Sequence, residues 1–329
     1  MHVNEYDLIR KIASKFPRTS DVDAGLFGCD AELVRIGTDI WGMTIDTFTP
    51  EEDLFTSDDP VKLGRNLATA TLSDLLAAGI EPRFFLSSLS LPRTGDPRLG
   101  DGLTTGIAEI LSEARCLHCG GDLGTADPWC FTGFAMGPVT APKPLTHHVP
   151  DDPHVLCVTG TLGDLNLSAF LGTPTPVIEL RLREAERVRR CGTACIDTSG
   201  GLLDAVWLLH RQNPGLRFTV DLEAVPLADG TRSFIERTKT PLEALLLGGA
   251  GEHELLFTLP AINLPMLHHE LTAAGIAVIG AVTPGNSEIV LQRGKHERRM
   301  DMPPPCPREA ASAQEHAQAV MKMAQELSR

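Results

Sequence analysis

Residues 138–153 (PVTAPKPLTHHVPDDP) hold five prolines and almost no apolar periodicity. Proline lacks the N–H that helices and central strands use, so no regular element runs through such a stretch. It splits a chain of 329 residues into two halves, each with its own alternation of strand-like and helix-like segments. At ~150 residues per domain the length also fits two domains. The expected division is 1–140, 150–300 and a tail over 301–329.

In the first half, 41–45 reads as a short buried strand ending in Asp46. Asp58 or Asp59 caps a helix that opens at Pro60 and stops at Gly79. Residues 84–91 and 129–136 read as strands. Residues 101–117 place Ile107, Ile110, Leu111 and Ala114 at helical spacing. Gly120-Gly121-Asp122 follows the Cys116–Cys119 C-x-x-C and reads as the end of that helix and a turn. In the second half, 155–158, 218–222 and 254–259 read as strands, 202–210 and 267–274 as helices, and 276–282 with 289–292 as a hairpin. Both halves are mixed α+β. In the tail, Ala313, Ala317, Val320, Met321, Ala324 and Leu327 share one helical face, expected to dock on the body or on a second subunit.

Charge narrows the function. With 29 Lys+Arg against 43 Asp+Glu the formal charge is −14, a poor match for nucleic acid or anionic lipid. Phosphates on such a protein need another counter-charge, and a divalent metal is the obvious one. The first residues lack the apolar core of a signal peptide, and no run approaches the ~18 apolar residues of a membrane span. A cytoplasmic protein with no membrane partner is expected, its eight cysteines as reduced, metal-free thiols.

No P-loop, dinucleotide fingerprint, nucleophile elbow or H-E-x-x-H motif occurs. Four aspartates stand out instead. Asp30 follows Gly28-Cys29, Asp46 ends an apolar strand, Asp122 follows two glycines, and Asp74 lies on the apolar stripe of LATATLSDLLAAG. A carboxylate there must pair, bind a cation or take up a proton. Converging carboxylates with the hydroxyls of Thr44, Thr47 and Ser73 suit Mg²⁺, which takes oxygen ligands and keeps phosphate oxygens in its shell. The structural alternatives are an Asp46 that caps a turn and Asx-turns at Asp30 and Asp122; a mid-helix Asp74 has no such use.

These residues fall in blocks that resemble the thiamine-monophosphate kinases: Gly28-Cys29-Asp30, Thr44-Ile45-Asp46-Thr47, Leu72-Ser73-Asp74-Leu75 and Gly120-Gly121-Asp122. Val158 to Asp164, Ile196-Asp197-Thr198-Ser199 and Gly249 to Leu255 continue the series. That family belongs to the superfamily of aminoimidazole-ribonucleotide synthetase and selenophosphate synthetase. The resemblance implies an N-terminal domain whose sheet forms a barrel across a homodimer, and a C-terminal α/β domain beside it. ATP and Mg²⁺ then lie in the cleft. It assigns Asp30, Asp46, Asp74 and Asp122 to metal and Asp46, Asp74 and Asp122 to catalysis. Thr44, Thr47, Ser73, Gly120, Gly121 and Ser199 are assigned to the cofactor.

The departures are specific. Cys29 replaces one of two adjacent aspartates, Gly200 replaces an aspartate after Ser199, Gly251 replaces a glutamate, and Asp53 stands near a lost histidine. The usual arginine of the inter-domain segment gives way to His147-His148. The reading that follows is a phosphotransferase that moves the γ-phosphoryl group of ATP to a small, phosphorylated metabolite. The alternatives are a synthetase that activates an amide or carboxylate oxygen, and a non-catalytic nucleotide-binding dimer.

Overall fold

The computed structural model describes residues 5–17, 22, 24–50, 57–94, 96–140 and 143–328; Asp53 lies outside them. The elements are α1 (Glu5–Ala13), β1 (Glu32–Ile36), β2 (Asp39–Phe48), α2 (Pro60–Ala77), β3 (Phe84–Leu91), α3 (Arg98–Glu113), β4 (Leu117–Thr125) and β5 (Cys130–Pro138). After the proline-rich segment come β6 (His154–Thr159), α4 (Asp164–Leu171), α5 (Leu182–Cys191), β7 (Ala194–Asp197), α6 (Leu202–Gln212), β8 (Leu216–Asp221), α7 (Asp229–Thr238) and α8 (Leu242–Leu246). The chain ends with β9 (Leu255–Pro260), α9 (Leu264–Ala273), β10 (Ile276–Pro284), β11 (Glu288–Arg293), β12 (His296–Arg299) and α10 (Ala313–Leu327).

Two sheets organise this mixed α+β fold. The first has the order β1-β2-β5-β3-β4, the second β12-β11-β8-β10-β6-β9-β7. Within the second, β11 runs parallel to β8 and the other pairs are antiparallel, so it is less parallel than an α/β domain implies. β8 lies between β10 and β11, which overturns the expected hairpin of 276–282 with 289–292. Their connection is short enough for a hairpin, but the apolar faces of both strands find a better neighbour in Phe218 and Val220 of β8, both fully buried.

α2 fixes the first half. Asp59 accepts the N–H groups of Val61 and Lys62 at its start, and Gly79 lies at φ 72° just beyond its end, as the cap and stop residues predict. Its partner α3 packs at backbone distance. A Cβ on Gly106 would stand 2.0 Å from the Val61 carbonyl oxygen, and one on Gly64 2.1 Å from that of Leu103. On the other side α2 covers the first sheet, and Leu67, Leu72, Leu75, Phe85 and Phe131 fill the space between.

Two expectations change here. β2 continues through Asp46 to Phe48, so Asp46 lies inside the strand instead of at its end. Residues 117–125 form edge strand β4, parallel to β3, with Asp122 opposite Ser88. The two glycines and the C-x-x-C hid this strand from propensity, because pairing with β3 comes from elsewhere in the chain.

Candidate active site

Between the two sheets lies a cleft of about 380 Å³, within the range of small-ligand sites. β2 brings Asp46 and Thr47, α2 brings Ala70 and Asp74, and the loops after β7 and before β9 bring Ser199, Gly200 and Gly249 to His253. From Asn66 to Ile80 every residue is buried except Asp74, the one point where the cleft reaches into α2. Thr44 donates to Asp74 Oδ2 at 2.6 Å across the β2–α2 contact. Burial pushes the Asp74 carboxyl well above its usual range, and the nearby charges of Asp46, Asp197 and Asp30 push it further. Either a proton or a cation relieves such crowding.

Asp197, at the end of β7 and 4% exposed, is the hub beneath the cleft. Its Oδ1 accepts the N–H of Ser199 at 3.0 Å; Oδ2 accepts the Ser73 hydroxyl and lies 3.3 Å from His253 Nδ1. Against the cost of burial, these bonds hold its carboxyl below the usual range. Its backbone N–H donates to Asp30 Oδ2 at 3.0 Å. Thus Ser73 of α2 and Asp30, ahead of β1, both tie the first half to the second through one residue.

Asp30 is used up in that tie. Its Oδ1 lies 3.0 Å from His147 Nε2, and His147 Nδ1 donates to the Phe27 carbonyl at 2.7 Å. Both ring nitrogens of His147 face acceptors, so the pair holds a proton between them. Burial lowers the histidine and Asp30 more than restores it, leaving His147 above its ordinary value. Asp30 does not line the cleft.

The remaining expected residues divide. Asp46, Asp74, Thr47 and Ser199 line the cleft, and Thr44 and Ser73 stand just beneath it. Gly120, Gly121 and Asp122 are elsewhere, on exposed or half-exposed edge strand β4, three strands from β2 or about 14 Å at ~4.8 Å per strand. Asp122 also shares the face of Ser88, opposite to the face on which Phe85, Phe131 and Thr44 meet α2. At Gly200 the structure shows what replaces the missing side chain: a Cβ there would stand 2.3 Å from Asp204 Oδ2, so the Asp204 carboxylate fills that space and itself lines the cleft.

Sequence reasoning passed over the Asp197–His253 pair and the tie at His147. His253 is 56 residues from Asp197, and nothing local marks them as neighbours. It also passed over the tail's second role. α10 docks through Val320, Ala324 and Leu327 on the second core, and the segment ahead of it, 303–309, forms a wall of the cleft. His316 Nε2, donating to the Pro305 carbonyl at 3.1 Å, fastens that wall to α10.

The carboxylates of Asp46, Asp74 and Asp204 supply oxygens of the hard kind that Mg²⁺ takes, beside His253, Cys306, Arg211 and Arg308 in the same lining, but among the described residues no three His, Cys, Asp or Glu form a cage of their own. That fits an ion held by one or two carboxylates and completed by water and phosphate oxygens.

Residues 28–139 match the family model of AIR synthase related protein, N-terminal domain. The chain is 27% identical over 308 residues to a thiamine-monophosphate kinase of Pyrococcus horikoshii, covering 90% of this chain and 94% of that one. Among solved structures, AaThiL complexed with AMPPCP and TMP superposes with a TM-score of 0.73 at 20% identity, over 90% of this chain and 94% of that one. The HypE–HypF complex gives 0.74 at 16% identity, over 90% and 99%. Over most of its length the chain is thus similar to thiamine-monophosphate kinases, and residues 28–139 match the AIR synthase related N-terminal domain.

Proposed function

We propose that this protein is an ATP- and Mg²⁺-dependent phosphotransferase that passes the γ-phosphoryl group to a small metabolite, as the name of its thiamine-monophosphate kinase relatives describes for them. The observation that carries the reading is Asp74: a carboxylate in a helical stretch, 66–77, whose other residues are all buried, open to a ligand-sized cleft and crowded by other carboxylates. Asp46 and Asp74 would hold Mg²⁺ together with water and phosphate oxygens, with Asp204 lining the same cleft beside Gly200. The ion, when bound, neutralises charge on the transferring phosphoryl group. Thr44 orients Asp74, Ser199 offers a hydroxyl at the rim, and the 303–309 wall helps exclude water from the acceptor; the Thr47 hydroxyl meets Thr132 on the opposite face of the sheet.

The reading includes a homodimer. The sheet face away from α2 exposes Ile45 (67%), Leu86 (41%) and Leu117 (64%), and a second copy packed there would complete a barrel. Asp122 stands on this face, so the proposal ties it to the protomer interface instead of to the cleft of its own chain. The test is ADP release from ATP with Mg²⁺ and thiamine monophosphate. Asp74→Asn is expected to lose Mg²⁺-dependent ATP binding while keeping its melting temperature. Calorimetry that detects no ATP uptake by the wild type in excess Mg²⁺ would overturn the reading.

A further inference from the structure

The cleft carries charge of both signs, and α6 sets them apart. Asp204 and Arg211 both line it and stand two helical turns apart on α6. At 3.6 residues and about 5.4 Å per turn, that puts them on one face of the helix, roughly 10.5 Å apart along its axis. Helical side chains lean toward the N-terminus, which on α6 is the Asp204 end. The Arg211 charge is not spent on an acid. Its Cζ lies over the Tyr6 ring, 5.5 Å from the centroid, and among the described residues Arg211 meets no carboxylate. In a chain with 43 acidic side chains and a formal charge of −14, an arginine that lines a cleft without an acidic partner keeps its charge for a ligand.

An aromatic brace holds the group. Tyr6 of α1 meets Phe27 edge-on at 5.2 Å, and Arg10 lies over the Phe27 ring at 5.6 Å, so α1 is pinned on the turn ahead of β1 with its tyrosine against Arg211. A guanidinium over a ring keeps N–H donors that the ring does not use, and their fork matches the paired oxygens of a phosphate or a carboxylate. A cation in the last turn of a helix also complements the helix dipole, but that role needs neither the ring nor a place in the cleft wall. We propose that Arg211, braced by Tyr6, binds an oxyanion (a phosphate or carboxylate group) at the end of the cleft away from Asp204. Only the source of that group rests on the phosphotransferase reading. On that reading the metal end takes the γ-phosphate of ATP, and Arg211 holds either a phosphate nearer the nucleoside or an anionic group of the acceptor.

Calorimetry with inorganic phosphate, Mg²⁺-ATP and thiamine monophosphate, each alone, is run on the wild type, Arg211→Gln, Arg211→Lys and Tyr6→Leu, with a thermal melt of each. Arg211→Gln is expected to weaken at least one of the three by about 10-fold or more, the loss of a charge-assisted hydrogen bond, and Arg211→Lys to keep part of that affinity. Weakened Mg²⁺-ATP with thiamine monophosphate unchanged assigns the oxyanion to the nucleotide; the reverse assigns it to the acceptor. Tyr6→Leu removes the brace and keeps the charge, so its loss of affinity is expected to be the smaller. A loss as large as that of Arg211→Gln overturns the proposal in favour of packing between α1 and α6. Affinities of Arg211→Gln within about 2-fold of wild type for all three overturn it as well, and leave phosphotransfer standing. Phosphate uptake that depends on Arg211 in a protein that takes up no Mg²⁺-ATP keeps the oxyanion site and ends the phosphotransferase reading. A wild type that takes up none of the three ends both.

Discussion

Replacing Asp30 separates a metal ligand from a structural tie. In the structure both carboxylate oxygens are engaged, one with His147 Nε2 at 3.0 Å and one with the Asp197 N–H at 3.0 Å, and the side chain is 12% exposed beside a histidine at 5%. Asp30→Ala strands a buried imidazole that has lost its counter-charge and a buried N–H. Breaking one partner of a buried pair costs about 3–5 kcal/mol, which for a protein of this size lowers Tm by roughly 6–10 °C. Asp30→Asn keeps an acceptor oxygen and should cost about 1–3 kcal/mol. The pH profile gives a second reading. His147 is raised in the folded state, so its stabilising contribution is complete below the unfolded value near 6.5 and is lost as pH rises through the folded one. Urea titrations of wild type and both variants between pH 5 and 9 check this. The wild-type advantage over Asp30→Ala should shrink toward high pH. An Asp30→Ala protein within about 1 kcal/mol of wild type that has lost Mg²⁺-dependent ATP binding would refute the argument and return Asp30 to the metal.

Glu252 is buried, which pushes its carboxyl to about 8 although Gly163 and Leu165 N–H groups at 2.6 and 3.3 Å favour the charged form. A raised acid stabilises the fold below its unfolded value and loses that contribution as pH rises to about 8. Glu252→Gln should therefore flatten the stability profile between roughly pH 4.5 and 8, a span of at most about 5 kcal/mol at 1.36 kcal/mol per unit, as followed by thermal melts. Gly106→Ala forces a methyl group against the Val61 carbonyl and should cost about 1–3 kcal/mol by urea titration, with Asp74 displaced and kcat reduced. On the open face of the first sheet, Ile45→Glu combined with Leu86→Glu should leave melting nearly unchanged but shift light scattering from dimer to monomer; a wild type that is already monomeric at micromolar concentration defeats the barrel proposal.

The first sheet's strands β3 and β5, helix α2 with its Asp59 cap, and the tail helix α10 were legible because their signals are local: caps, stops and periodicity act within a few residues. β4 and the β8–β10–β11 order were not, since pairing partners distant in the chain decide them. At the site, the oddity of Asp74 could be read from its position among leucines. The equivalence of Asp30 and Asp122 with it could not, because one carboxylate turns inward to His147 and the other faces the far side of the sheet. Neither orientation is written in the glycines beside them.

The sequence by itself determined two mixed halves on either side of a proline-rich joint, a net acidic composition, and a carboxylate stranded on an apolar helix. Periodicity, backbone chemistry and net charge are properties of neighbours along the chain. Tertiary structure alone decided which carboxylates share the cleft, that Asp204 fills the gap at Gly200, and that Asp197 grips Ser73, Asp30 and His253 at once. Those are distances between residues far apart in the chain, set by how α2 packs against the first sheet and by how the loop before β9 folds onto the loop after β7.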